Sequence, residues 1–286
     1  MNALSRTILI ASALPPRQSR AIVSVLCKAS RESLEKKRDK LSNRFQKAVV
    51  RVLKFAKHET LRKLQRHLHS NRPLMGQDQP PPHHDANRIA FNPDELSRDL
   101  GIMLSAEVPN VLDSAVSDTL AAAGFRDPWK LPAQAALDFM SSRQNLLSGV
   151  SDEIFQVIRN EISAGLIAGE SIAELSARIS KAFNEIESGR AEVIAKTETA
   201  AAYAYASDQA ARAAGIEYKQ WIHGATSKVP RPDHVAIDRL IVPFNQPFPV
   251  GDPPLMYPHD GNGSPQDVIN CSCISIPVTR ADFLAQ

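Results

Sequence analysis

From Arg17 to His69 the chain contains neither glycine nor proline. A run of more than fifty residues without a backbone breaker reads as one long helix. Leu34, Leu41, Phe45, Ala48, Val52 and Phe55 recur at helical spacing and predict its apolar face. Basic residues are frequent among the other positions. Sixteen Lys and Arg stand against four acids between Arg17 and Leu68, a local charge of +12 in a chain whose total is +3. The rest of the chain therefore carries −9. Such asymmetry points to a polyanionic or acidic partner for the basic part, or to a helix whose charges only solvate its outer face. Lys36, Lys37, Arg38, Lys40, Arg44, Lys47, Arg51 and Lys54 are the candidate nucleic-acid contacts. No aromatic residues interleave with them as a single-strand stacking surface would need, so a sequence-reading module is not expected.

Three cysteines among 286 residues do not make a secreted disulfide framework, and Cys27 lies in the helical run far from Cys271 and Cys273. The apolar stretch at 7–17 is too short to span a bilayer and lacks a cleavage context. A reducing, cytoplasmic setting without membrane contact is the expectation.

After the basic helix (1–70) comes a Pro-rich linker, 71–92, with three consecutive prolines that favour polyproline II. His83 and His84 beside Asp85 offer metal donors there. From 93 to 187 helical patterns resume as a bundle-like set of antiparallel helices. Asn92 caps the first with Pro93 at N1, and the pattern pauses near Ala106 before restarting at Asn110. A further helix covers 133–147, and Ser171 with Glu174 forms a capping box for a later one. The region 188–286 reads as a small α+β domain: an alanine-rich helix ending at Gly215, short strands within 216–224, RLIVPF and CISIPV, and long Pro-rich loops. The fold class expected is thus α+β, mainly helical over the N-terminal two thirds.

Three clusters carry potential chemistry. On the alanine-rich helix, Glu192, Lys196, Thr199 and Tyr203 share a side, with Thr197 and Glu198 a quarter-turn away. Glu198 reads either as an ion-pair anchor of the helix onto the sheet or as a catalytic carboxylate. In WIHGATSKVPRPDHVAID a turn-rich loop presents Lys228 and Arg231, followed by His234 and Asp238 at i, i+4. A His bonded to a carboxylate suits general-base chemistry, the orientation of a metal ligand, or plain structure. Third, NCSC at 270–273 puts two cysteines one residue apart on one side of a strand. Their spacing is at the edge of disulfide reach but suits two ligands of one zinc ion. His234 is then the third ligand, with His259 or His223 as a fourth, and buried, packing thiols are the alternative.

Together these segments resemble the phage Mu protein F-like, or head-morphogenesis, minor capsid proteins of tailed bacteriophages. The carrying motifs, in order, are AKTET at 195–199, YKQWIHG at 218–224, SKVPRPDH at 227–234, VPFNQPFPVG at 242–251, LMYPHD at 255–260 and NCSC. The resemblance covers about 170–277 and singles out Lys196, Thr197, Glu198, Thr199, Trp221, Arg231, His234, Asn270, Cys271 and Cys273. Lys196 stands where arginine is usual, Ser272 where arginine often separates the cysteines, and a glycine common after the histidine is absent around Asp238.

The resemblance implies a phage or prophage minor capsid protein, located inside the virion and in host cytoplasm during assembly. Its implied partners are the portal protein, the major capsid or scaffold protein, and double-stranded DNA through the basic helix. It also implies that the double cysteine closes the domain, stapling the terminal strand to the His234 loop. No turnover is expected. The competing reading is a toxin-like nuclease or transferase built on Glu198, Arg231, His234 and Asp238, against which stand the absence of a glycine-rich phosphate loop and a chain that stops thirteen residues after Cys273.

Overall fold

The computed structural model describes residues 16–69, 82–123, 125, 129–224 and 229–284. The apolar stretch 7–15, the proline-rich run 70–81, Lys228, and the side chains of Cys27, Leu34, His83 and His84 lie outside the described residues.

Four long helices, α1 (Pro16–His69), α3 (Pro93–Ala122), α4 (Ala133–Ile167) and α5 (Ile172–Ala213), share one hydrophobic core with the short α2 (Pro82–Ile89). At the C-terminal end a three-stranded antiparallel sheet has the order β2-β1-β3, with β1 (Tyr218–Ile222) between β2 (Ile241–Pro243) and β3 (Ile274–Val278). Short helices α6 (Pro232–Ala236), α7 (Pro265–Val268) and α8 (Arg280–Leu284) punctuate the loops. This is the mainly helical α+β architecture expected from the sequence.

The middle helix is α5, which packs on α1, α3 and α4. Ala191, Ala195, Ala202, Ala206 and Ala210 are fully buried along it, and such small side chains let neighbouring helix axes approach closely. The Ser171–Glu174 capping box closes its N-terminus through reciprocal bonds of 2.8 and 3.3 Å. Asn92 caps α3 by accepting from the Asp94 N–H at 3.0 Å.

The basic helix is built into the core. Phe45, Val49, Leu53, Ala56, Thr60 and Leu64 are buried at spacings of three and four residues, and Thr60 satisfies its hydroxyl on the Ala56 carbonyl at 2.9 Å. The buried stripe is rotated from the expected one: Val52 is half-buried, and Phe55 is 62% exposed. Apolar residues cover more than half of this helix's circumference, and its neighbours select which part is covered.

Three further expectations are corrected. Residues 82–92 are ordered structure and not linker: α2 packs on α4, and Phe91 contacts Phe155 and Phe183 with ring centroids 6.0 Å away in each case. The helix expected to pause near Ala106 continues through Pro109, because Leu104, Val108, Val111 and Leu112 remain buried on one face. The boundaries placed near 147 and at 187/188 both fall inside continuous helices, α4 and α5.

A Schellman turn ends α5: Gly215 has φ 68°, its N–H bonds the Arg212 carbonyl, and the Ile216 N–H bonds the Ala211 carbonyl, each at 3.0 Å. The chain then enters β1, whose Trp221 is fully buried among Phe248, Val250, Leu255, Val268, Cys271 and Cys273. No described helix is long and apolar enough to cross a membrane.

Candidate functional site

The two cysteines sit in a turn held from three sides. From α5, the Thr197 hydroxyl accepts the Asn270 N–H at 3.0 Å. Asn270 adopts φ 53°, a left-handed conformation asparagine tolerates better than most residues. From the loop before α6, Arg231 donates to the Gln266 carbonyl at 2.6 Å and to the Ile269 carbonyl at 2.7 Å. Beyond β1, the Ser272 hydroxyl donates to the Gly224 carbonyl at 3.3 Å. A Cβ at Gly224 would stand 2.3 Å from the Ser272 carbonyl oxygen, so only glycine permits this approach.

So held, Cys271 and Cys273 both face His234. Its Nδ1 lies 3.6 Å from each sulfur, and the imidazole is 1% exposed. The ring's edge packs on Trp221 with centroids 5.3 Å apart, while Nε2 points toward Asp267 Oδ1 at 3.9 Å. Asp267 is itself fixed by the Ser264 hydroxyl at 2.7 Å. The hydrogen bond to Cys273 and nearby positive charge from Arg231 and Arg38 pull the Cys271 thiol below its ordinary pKa, against burial. Cys273 is pushed up, first by its hydrogen bond to Cys271 and then by burial. The pair therefore holds one proton more loosely than the other.

Among the described residues, two groups of potential metal donors converge within 4.8 Å: His234, Cys271 and Cys273, and Asp233, His234 and Asp267. Neither includes His223 or His259. The His223 N–H donates to Asp238 Oδ1 at 2.7 Å. His259 directs Nδ1 at the Val268 carbonyl, 2.9 Å away, so that nitrogen carries the proton. Burial, reinforced by Arg38 and Arg143, drives the His259 pKa down to about 3.

Each of the four residues of the enzymatic reading has a partner outside that set. Glu198 forms a two-pronged, fully buried pair with Arg143 of α4, with both N···O distances 2.8 Å. It thus anchors helix to helix, where an anchor onto the sheet was expected. Arg231 is spent on the two carbonyls. His234 faces the sulfurs, and Asp238, beyond the end of α6, holds the His223 amide. The carboxylate beside His234 is Asp267. On the same face of α5, Lys196 pairs with Glu192 at 2.6 Å, Thr199 is buried, and the Tyr203 hydroxyl donates to Asp118 Oδ2 at 2.8 Å.

The basic residues divide. Lys37 pairs with Asp118 at 2.8 Å, and Arg44 lies 3.4 Å from Glu107. Arg38 is half-buried, and burial lowers its pKa. Lys36, Lys40, Lys47, Arg51 and Lys54 are exposed and have no ion-pair partner among the described residues. Lys40, Arg44, Lys47, Arg51 and Lys54 form a stripe at spacings of four and three, opposite the buried face and about 21 Å long at 1.5 Å per residue.

Arg143, Lys219, Asp260 and Asp267 have structural roles that sequence reasoning missed. Lys219 is 1% exposed, donates to the Met256 carbonyl at 2.6 Å and lies 5.4 and 5.2 Å from the rings of Phe244 and Phe248. Burial lowers its pKa to about 8. Asp260 accepts the Met256 and Asn262 N–H groups at 3.0 Å. The LMYPHD segment contained Asp260, but nothing local marked Arg143 or Asp267.

Compared with known proteins, residues 156–276 match the family described as "Phage Mu protein F like protein". The match takes in the last part of α4, all of α5 and the sheet through most of β3. A protein of Bacillus subtilis (strain 168), "Uncharacterized protein YqbB", is 23% identical over 162 residues, covering 55% of this chain and 53% of that protein. The chain thus spans about half the length of the curated relative it matches. No solved structure matches. Thr197, Trp221, Arg231, His234, Asn270 and both cysteines are bound into one packed unit inside the matched span, and residues 156–276 are similar to the phage Mu protein F-like family.

Proposed function

We propose that the chain is a head-morphogenesis protein of a tailed bacteriophage or prophage, a minor capsid component that docks on portal, capsid or scaffold protein inside the procapsid. The observation that carries this reading is the Mu F-like match over 156–276, whose motif residues build the C-terminal unit. We read the role as binding, a reading supported by the separate partners that Glu198, Arg231, His234 and Asp238 each have.

The exposed stripe from Lys40 to Lys54 refines the reading to packaged double-stranded DNA. Its cations lie on one helix face, none has an apolar job, and affinity for phosphates depends on such charge without base readout. Removing residues 1–70 would be a poor test, because Phe45, Val49, Leu53 and Leu64 would leave the core with them. Substituting the stripe is a clean one. Procapsids assembled with Lys40, Lys47, Arg51 and Lys54 all changed to Gln should incorporate the protein normally yet show weaker protein–DNA crosslinking. Unchanged crosslinking refutes the DNA role; failure of the wild type to enter procapsids refutes the head assignment.

A further inference from the structure

We propose that His234, Cys271 and Cys273 hold one zinc ion through the imidazole Nδ1 and two thiolates, fastening the terminal strand to α6. Zinc–sulfur bonds of about 2.3 Å and a zinc–nitrogen bond of about 2.05 Å at tetrahedral angles place N and S about 3.5 Å apart. Both Nδ1···Sγ distances are 3.6 Å. A neutral imidazole nitrogen has one lone pair and accepts one S–H hydrogen bond; two sulfurs at equal distance exceed what that bond explains. All three donor atoms lie within 4.8 Å of one another in a buried pocket, where soft thiolate ligands select zinc over magnesium or calcium.

The surroundings match what a zinc-ligating histidine needs. Its other ring nitrogen faces a carboxylate, Asp267, which Ser264 holds in place. His234 Nε2 is buried and otherwise has no partner, so this N–H has one direction in which to be satisfied. The competing group, Asp233 with His234 and Asp267, would need Nε2 as ligand and includes the exposed Asp233; it leaves the two sulfurs idle. Binding displaces the two thiol protons to solvent and makes the buried centre neutral. Three protein ligands leave a fourth position for water.

The test uses the full-length protein. Metal content of protein purified after growth with added zinc should be about one zinc per chain, and metal-free protein titrated with cobalt(II) should develop a thiolate-to-cobalt charge-transfer band. Cys273→Ser should lose the band, and Cys27→Ser should keep it. Should Cys273→Ser fail to fold, Asp267→Asn decides: it retains all three ligands and should bind zinc about 10- to 100-fold more weakly. Removing zinc with a chelator should lower the melting temperature, and restoring it should reverse the change. Substoichiometric zinc with no cobalt band in the wild type, or a Cys271–Cys273 disulfide in freshly purified protein, overturns the proposal. Undiminished zinc affinity in Asp267→Asn overturns the role given to Asp267 beside His234.

Discussion

Changing Lys40, Lys47, Arg51 and Lys54 together to Gln removes four exposed cations while leaving Arg44, which also has Glu107 nearby. None of the four contributes to the buried face of α1, so melting behaviour should stay within about 0.5 kcal/mol of wild type. The effect on DNA should be large. If the five stripe cations each neutralise one phosphate, the slope of log K against log salt is about −4.5. Raising salt from about 50 to about 200 mM then weakens wild-type binding about 500-fold, equivalent to about 4 kcal/mol. With one cation left the slope falls to about −0.9 and the same change costs only about 3- to 4-fold. Fluorescence anisotropy with a random-sequence duplex over a salt series measures both slopes. A wild-type affinity indifferent to salt, or a variant slope equal to wild type, would show that the stripe merely solvates the helix.

Arg143→Met should destabilise the fold by about 3–5 kcal/mol, because Glu198 is left charged and buried; adding Glu198→Leu should recover most of that loss, as chemical denaturation of both variants would show. His259 contributes a pH dependence of definite sign. Its folded pKa of about 3 lies below the ordinary 6.5, so the unfolded chain binds the extra proton and stability falls as pH drops below 6.5. Between pH 6.5 and about pH 5 that loss is about 2 kcal/mol, and urea titrations of His259→Gln should show it reduced. Gly224→Ala should push Ser272 away and splay the cysteine turn, lowering the melting temperature; a variant melting like wild type would contradict the 2.3 Å approach.

Much of the helical framework was legible because local rules decide it. The Asn92 cap, the Ser171–Glu174 box and the Gly215 stop depend on residues within a few positions of one another, and each appears as expected. The three strands likewise fall inside the stretches expected to form them. Continuity through Pro109 and across 187/188 was not legible, since a proline costs a helix one bond locally while the buried Leu104, Val108 and Val111 repay it from other helices. Phe55 was misplaced for a related reason: a broad apolar arc does not say which part its neighbours cover.

At the site, the residue types of the motif series were visible, but their partners were not. Arg143 and Glu198 are 55 positions apart, and no short pattern distinguishes this arginine from one in solvent. Asp238 was the nearer carboxylate in sequence, yet α6 ends too soon to turn it back, and Asp267 arrives from α7 instead. By itself, then, the order of residues determined the capped starts of two helices and the Gly215 stop, the basic character of α1, and which residue types gather near the C-terminus. Tertiary structure alone decided that two sulfurs and one imidazole nitrogen share a pocket and that Arg143 meets Glu198. Chain-local energies act over a turn or two, whereas side chains distant in sequence are matched only when packing brings their elements together.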